Sequence, residues 1–382
     1  MTSATKQTSS TTLPWSVRAL ETLERYLPDA VDELASQPME ALESRDNPGI
    51  GIFKSGGGAG MLVPSDYGGG GADAREAVEI QYALGLLAPS TAVGLTMHQF
   101  TVATLVEMMR ETGGLEGLVL ESIASQNLLV ASAFAEGKPG GHVLDPTVTL
   151  VADGPNYRAN GVKKPCSLTA SMDMITASVK MPDPSEQFAV ALFGASEDGV
   201  RIEPFWNSPV LAGAETEALV LDNVLIPESG LTYVAPSSEL DRVQVRGYVW
   251  FELCIAAAYV GIAAAFVQRL PEERTDDAGR VAMGTEIGSS VAMLDSIAAR
   301  LESGEGEPDL LADCLTIRYS VERAIQRATD VATELLGVER LSQCPELGLL
   351  FTASRALSYH PPSRRRTQGG LADWLRGGKL TV

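Results

Sequence analysis

The segment Gly247–Gln268 constrains this 382-residue chain more than any other, because its only charge is Glu252 and the rest is apolar or small. Its length would suffice to cross a bilayer. Six alanines, two glycines and the acid make a poor span, and neither a second span nor a basic flank accompanies it. A helix apolar on every side in a soluble protein is a central core helix, enclosed by other elements. The segment therefore predicts a protein built around one enclosed helix, with no membrane association. With 45% hydrophobic and 20% charged residues, the chain is not a disordered one. Its net charge of −20 argues against non-specific nucleic-acid binding, which needs a basic face.

The four cysteines, Cys166, Cys254, Cys314 and Cys344, are too sparse for a disulfide framework, and the three histidines fit no zinc spacing. The expectation is no metal and a reduced, cytoplasmic setting. Met1–Leu13 is rich in Ser and Thr without an apolar core, which reads as a frayed tail rather than a signal peptide.

Periodicity divides the chain into three. Helical patterns cover Val17–Leu27, Val31–Leu42 (broken at Pro38), Ala74–Leu86, a run from Pro89 to about Met109, and Leu115–Ser125. The glycine-rich Gly49–Gly60 reads as irregular. From Leu128 to about Pro236 the pattern turns to short β-like runs, among them Val148–Val151, Tyr157–Ala159, Met174–Val179, Phe188–Phe193 and Ala218–Leu221, which suggest a barrel or sandwich. The last third is helical again, with apolar stripes at Ile287, Val291, Leu294, Ala298 and Leu301, and at Ile317, Val321, Ala324, Ala328, Val331 and Leu335. A further helix over Glu346–Tyr359 must stop at Pro361-Pro362. The expected class is α+β: an N-terminal helical domain over residues 14–126, a β-barrel over 127–238, and a four-helix bundle over 239–376.

Gly69-Gly-Gly71-Ala-Asp-Ala74 formally fits the dinucleotide fingerprint, but no strand runs into it and no βαβ unit follows, so it reads as a tight turn before a helix. More specific is Met61-Leu-Val-Pro-Ser-Asp-Tyr-Gly-Gly-Gly-Gly-Ala-Asp73, followed by Ser90-Thr-Ala-Val-Gly and His98, Asn160-Gly-Val-Lys-Lys164, the strand-like Leu219–Pro227, and Val260-Gly-Ile-Ala-Ala-Ala. In this order the stretches resemble acyl-CoA dehydrogenases over about residues 15–376. The resemblance implies FAD held between barrel and bundle. It places the flavin against Phe134, Ala135, Glu136 and Gly141, and against Cys166 and Ser167, where the family's stacking aromatic is missing. It makes Arg274 the arginine that reaches the FAD diphosphate of a neighbouring subunit, with Glu334 and Gly337 in the companion motif, and so implies a homodimer or homotetramer.

The resemblance also puts Pro361 where most of the family carries its catalytic Glu. Two candidates remain for that role. Glu252 neighbours the position at which a minority of the family places the base, and burial would raise its pKa into a useful range; its structural alternative is a pairing with Arg318 or Arg246. His360, in Arg355-Ala-Leu-Ser-Tyr-His360-Pro361-Pro362, resembles the stretch by which flavin monooxygenases of the same fold replace the Glu loop; its alternative is a helix-terminal histidine. His98 and Arg364 are the substrate-side candidates, His98 with a structural alternative. Arg364 begins Arg364-Arg365-Arg366, either a solvated loop or a contact for a phosphate of coenzyme A, a phosphopantetheine arm or FAD. The implied function is an FAD-dependent oxidation of an acyl thioester, on coenzyme A or an acyl carrier protein, in a specialised biosynthetic step. The alternatives are a flavin monooxygenase or N-hydroxylase, and a non-catalytic member of the family.

Overall fold

The computed structural model describes residues 12–137, 146–182, 187–236 and 240–381. The expected tail therefore lies almost wholly outside the described residues, as do Gly141 and His142. Seven helices come first: α1 (Pro14–Tyr26), α2 (Ala30–Ser36), α3 (Met39–Leu42), α4 (Pro48–Ser55), α5 (Ala74–Leu87), α6 (Pro89–Thr112) and α7 (Glu116–Gln126). Eight strands follow: β1 (Val130–Ala133), β2 (Thr149–Asp153), β3 (Asn156–Cys166), β4 (Met174–Lys180), β5 (Gln187–Gly194), β6 (Val200–Glu203), β7 (Glu217–Ile226) and β8 (Leu231–Pro236). The chain closes with α8 (Arg242–Val267), α9 (Asp277–Glu302), α10 (Pro308–Gln343), α11 (Pro345–Ser354) and α12 (Arg364–Leu375).

The helix α8 is the enclosed helix expected from its composition. It is the one described helix long and apolar enough to span a bilayer, and its apolar window is wholly buried in the protein. It starts five residues before the apolar run because Asp241 and Gln244 form a reciprocal capping box. Helices from both ends of the chain enclose it: α5 and α6 on one side, and α9, α10 and α11 on the others. The closest approach is to α5, where a Cβ on Gly85 would lie 2.0 Å from the Ala258 carbonyl oxygen, and one on Gly261 would lie 2.0 Å from that of Tyr82. Only glycine lets two backbones come this near.

The strands run β6-β7-β3-β2-β4-β5-β8, with β1 pairing parallel to β4. Between β2 and β4 the ladder narrows to one pairing, Thr149 with Lys180. The two edges, β6 and β8, do not pair among the described residues, so the expected barrel is an open sheet of two wings. Gly49–Gly60 also differs from its irregular reading. Asn47 caps α4 by accepting from the Gly49 amide at 2.8 Å, and Pro48 sits at the first helical position, so local start signals outweigh the glycines. The Arg364-Arg365-Arg366 run opens α12 instead of a loop.

Replacing either Gly85 or Gly261 by Ala should destabilise the protein by about 1–3 kcal/mol in urea melts, because two packed backbones must separate. Gly348, in α11, has nothing within 4 Å of a built Cβ. Gly348→Ala should instead be neutral or stabilising by up to ~1 kcal/mol.

Candidate active site: an apolar cavity closed by a clamped histidine turn

A cavity of about 260 Å³ lies where α6, α8, the sheet and the turn after α11 meet. From α6 come Met97, Phe100 and Thr104, and from α8 come Tyr248, Phe251 and Tyr259. Phe100 and Phe251 meet edge to face, 5.2 Å between centroids. The sheet side contributes Phe134 and Ala135 after β1 and Ser167 after β3, with the Ser167 hydroxyl 2.8 Å from that of Thr216. The last wall is the turn of Tyr359, His360 and Pro361. No Asp, Glu, Lys or Arg is among the described residues lining the cavity.

His360 and Tyr259 form the polar feature of this wall. His360 Nε2 lies 2.9 Å from the Tyr259 hydroxyl, and the rings meet edge to face. Burial, reinforced by the charge of Arg318, lowers the His360 pKa to about 3. Burial raises that of Tyr259. Near neutral pH both groups are therefore uncharged, and the pair can share or relay a proton between Nε2 and the phenol oxygen without a net charge in the cavity.

Glu252 does not line the cavity. It is fully buried, with Oε2 3.0 Å from Arg318 Nε, which is the structural alternative named for it. The contact is an ion pair without hydrogen-bond alignment, since neither carboxylate oxygen accepts a hydrogen bond within the described structure. Burial pushes the Glu252 pKa up to about 7, and Arg318 works against that rise.

The flavin-side candidates separate. Phe134, Ala135 and Ser167 face the cavity, whereas Cys166 turns into the sheet, 1% exposed, with its thiol pushed up to about 12 by burial. Glu136 is occupied below the strand end. It accepts from Lys163 Nζ at 2.7 Å and from the Thr147 hydroxyl at 2.6 Å, and although burial opposes them, Lys163 and Thr147 hold its carboxyl below the usual range. Arg274, Glu334 and Gly337 do not line the cavity. Arg274 Nη1 donates to the Leu336 carbonyl at 3.1 Å, beside the break that Gly337 makes in α10 with φ 71°. Arg364 is also off the cavity, with Nη2 3.1 Å from Glu322 and its guanidinium over the Tyr319 ring.

His98 is fully buried and does not line the cavity. Its Nδ1 accepts from the Val130 amide at 3.0 Å, which fixes Nε2 as the donor to the Ala59 carbonyl, also at 3.0 Å. It ties the N-terminal helices to β1, and burial lowers its pKa to about 4. Sequence reasoning missed Tyr259, because a tyrosine inside an apolar helix reads as core.

No protein-family model matches the chain. Among curated proteins it is 37% identical over 372 residues to an isobutylamine N-hydroxylase of Streptomyces viridifaciens, covering 95% of this chain and 98% of that one. Among solved structures it resembles the butyryl-CoA dehydrogenase of Megasphaera elsdenii, with a TM-score of 0.80 over 98% of this chain and 100% of that one, at 14% identity. It also resembles FMN-bound TdsC of a Paenibacillus species, with a TM-score of 0.78 over 95% of this chain and 98% of that one, at 16% identity. These two likenesses establish an acyl-CoA dehydrogenase-like fold.

A histidine held neutral by the fold is protonated more readily once unfolded. The contribution of His98 is therefore complete above its ordinary pKa and is lost as pH falls from about 6.5 towards 4. The stability gap between the wild type and His98→Gln should narrow by about 1.4 kcal/mol per pH unit between pH 6 and 4.5. A gap independent of pH would mean that His98 is already charged in the folded protein.

Proposed function

The chain belongs to the acyl-CoA dehydrogenase superfamily, in the family of the isobutylamine N-hydroxylase, and is an enzyme; from that premise we propose that it is a flavin-dependent monooxygenase that hydroxylates the nitrogen of a small aliphatic amine. The observation that carries this reading is the uncharged cavity. Removal of a thioester α-proton calls for a base, and no carboxylate lines the cavity among the described residues. An amine has the complementary requirement. As an ammonium ion it would be an unpaired charge in an apolar site, so it enters as the free base, with the nitrogen lone pair available for reaction.

The lining suits a flavin ring in kind: apolar faces from Phe134, Pro165 and Trp206, hydroxyls from Ser167 and Thr216, and main chain at Phe134–Ala135. It offers no cation for a phosphate, so the cavity fits the uncharged ring and not the phosphate end. A reduced flavin would supply two electrons which, with O2, leave one oxygen on the amine nitrogen and the other in water. The chain's own part is to exclude solvent with the Phe100–Phe251 wall, to select the neutral amine, and to hold a proton at His360 Nε2 or the Tyr259 hydroxyl. FAD is the flavin we propose, because the exposed Arg274–Gly337 patch stands where the resemblance puts a diphosphate contact. Since that patch is off its own cavity, a flavin it serves belongs to a second copy, and the working unit is a homodimer or homotetramer.

With O2, reduced flavin and isobutylamine, the protein should form the hydroxylamine, and His360→Ala should lower kcat by roughly 10²–10⁴ with flavin still bound. Bleaching of the oxidised flavin by an acyl thioester without oxygen would overturn this assignment. Selection of the free base predicts that the apparent KM for the amine falls about tenfold per pH unit between pH 7 and 9, since alkylammonium groups titrate near 10. A flat KM would show that the ammonium form binds. Chromatography of the released flavin should return FAD; FMN would assign the Arg274–Gly337 contact to the helix break alone.

A further inference from the structure

Beneath the cavity wall lies Arg318 of α10, the largest fully buried side chain among the described residues, 1% exposed. It makes no contact with the cavity, yet it touches the turn that closes it. Nη1 donates to the Pro362 carbonyl at 2.8 Å, and Nη2 donates to those of Leu357 at 2.9 Å and His360 at 2.8 Å. Its remaining nitrogen, Nε, faces Glu252 at 3.0 Å. One planar cation thus gathers three carbonyls of a short turn and is itself held from below by a carboxylate on the central helix.

We propose that Arg318 is a positioning residue that fixes His360 against Tyr259, with Glu252 as its counter-charge rather than a proton acceptor for substrate. The inference rests on the reading of His360 as the proton-handling group of the cavity. The geometry supports it on three counts. The turn after α11 is a short 3-10 helix, Ala356–Tyr359, ending in two prolines, and such a segment has few hydrogen bonds of its own to fix its direction. Of the three carbonyls, that of Leu357 also accepts from the His360 amide at 3.2 Å and that of Pro362 from the Tyr319 hydroxyl at 3.4 Å, so Arg318 is what gathers them with the His360 carbonyl at one point, and a lysine, as a point charge, cannot match the fork that holds them. The carboxylate pairs with the guanidinium alone, because neither Glu252 oxygen has a hydrogen-bond partner within the described structure.

Around His360, Tyr259 of α8 meets the ring, Arg318 of α10 donates to its carbonyl with Glu252 behind that guanidinium and the Tyr319 ring beneath it, Tyr359 is its neighbour in the turn, and Glu43, held by Ser90, acts on Tyr259. Of these, the charge of Arg318 adds to burial in keeping the ring neutral.

The test is the imidazole itself, read by 15N NMR of histidine-labelled holoprotein, in which three histidines are present. Wild-type His360 should show a hydrogen-bonded, neutral ring down to about pH 4. Two variants separate position from charge. Arg318→Lys keeps a cation opposite Glu252 but cannot span the carbonyls, and should lose the hydrogen-bonded signature. The double variant Arg318→Met, Glu252→Leu removes both buried charges together, a change that cores often tolerate. Its His360 pKa should rise by at least about one unit towards 6.5, the ordinary value. In both, kcat for the amine should fall more than about tenfold with KM within about threefold of wild type. A folded variant whose His360 resonances and titration match the wild type overturns the proposal. Unfolding of both variants, seen by circular dichroism, also overturns it, because the pair would then serve stability alone. If the wild type fails to hydroxylate amines but the NMR shifts occur, the functional reading fails and the positioning role stands.

Discussion

Everything in this protein is arranged around a helix with no outward face. An amphipathic helix needs partners on one stripe only, whereas α8 must be covered all round, and the chain supplies covers from both its ends. The interlocked glycines, Gly85 and Gly261, set how near the first of these covers comes. Because the N-terminal and C-terminal helices share this one core helix, neither group encloses it without the other. The open sheet completes the arrangement from the side by lining the far wall of the cavity.

Enclosure makes the single charge within its apolar run, Glu252, costly. A carboxylate buried without hydrogen bonds is stable only beside a cation, and the cation must itself be satisfied. Arg318 resolves this by spending its other donors on the turn that bears His360. A buried ion pair of this kind is weak evidence for stability. Its value lies in direction: the turn points one way because the guanidinium fork permits one way.

Helix positions were legible from periodicity where one face is buried, as in α1, α9 and α10, and β4 and β5, buried on both faces, were legible as short apolar runs. The misses share a cause. In α4, capping by Asn47 and Pro48 decides the local structure while glycine content points the other way. The strands β1, β6 and β8 fall inside the stretch read as β-like without being singled out, and β1 is buried throughout, so it has no alternation to register. At the site, residue types were legible but directions were not. Phe134, Ala135, Ser167 and His360 do meet in one cavity, while Cys166, adjacent to Ser167 in sequence, is buried and does not line it. Glu252 carried two readings in the sequence, base and ion-pair partner, and the packing of α8 on α10 brings it to 3.0 Å from Arg318. Tyr259 gave no signal, because its role depends on a turn 101 residues away.

The cavity has no local origin. Its walls come from α6, the strand ends near Ala135 and Ser167, α8, and the turn at His360, so its lining spans the chain from Val93 to Pro361. Such a site has no intermediate version. A fragment or partly folded form that kept its sheet, or its helices, would not be a weaker catalyst but would have no reaction chamber at all. Catalysis in this protein is thus a property of the complete fold, and the fraction of active molecules measures the fraction in which the two ends of the chain have met.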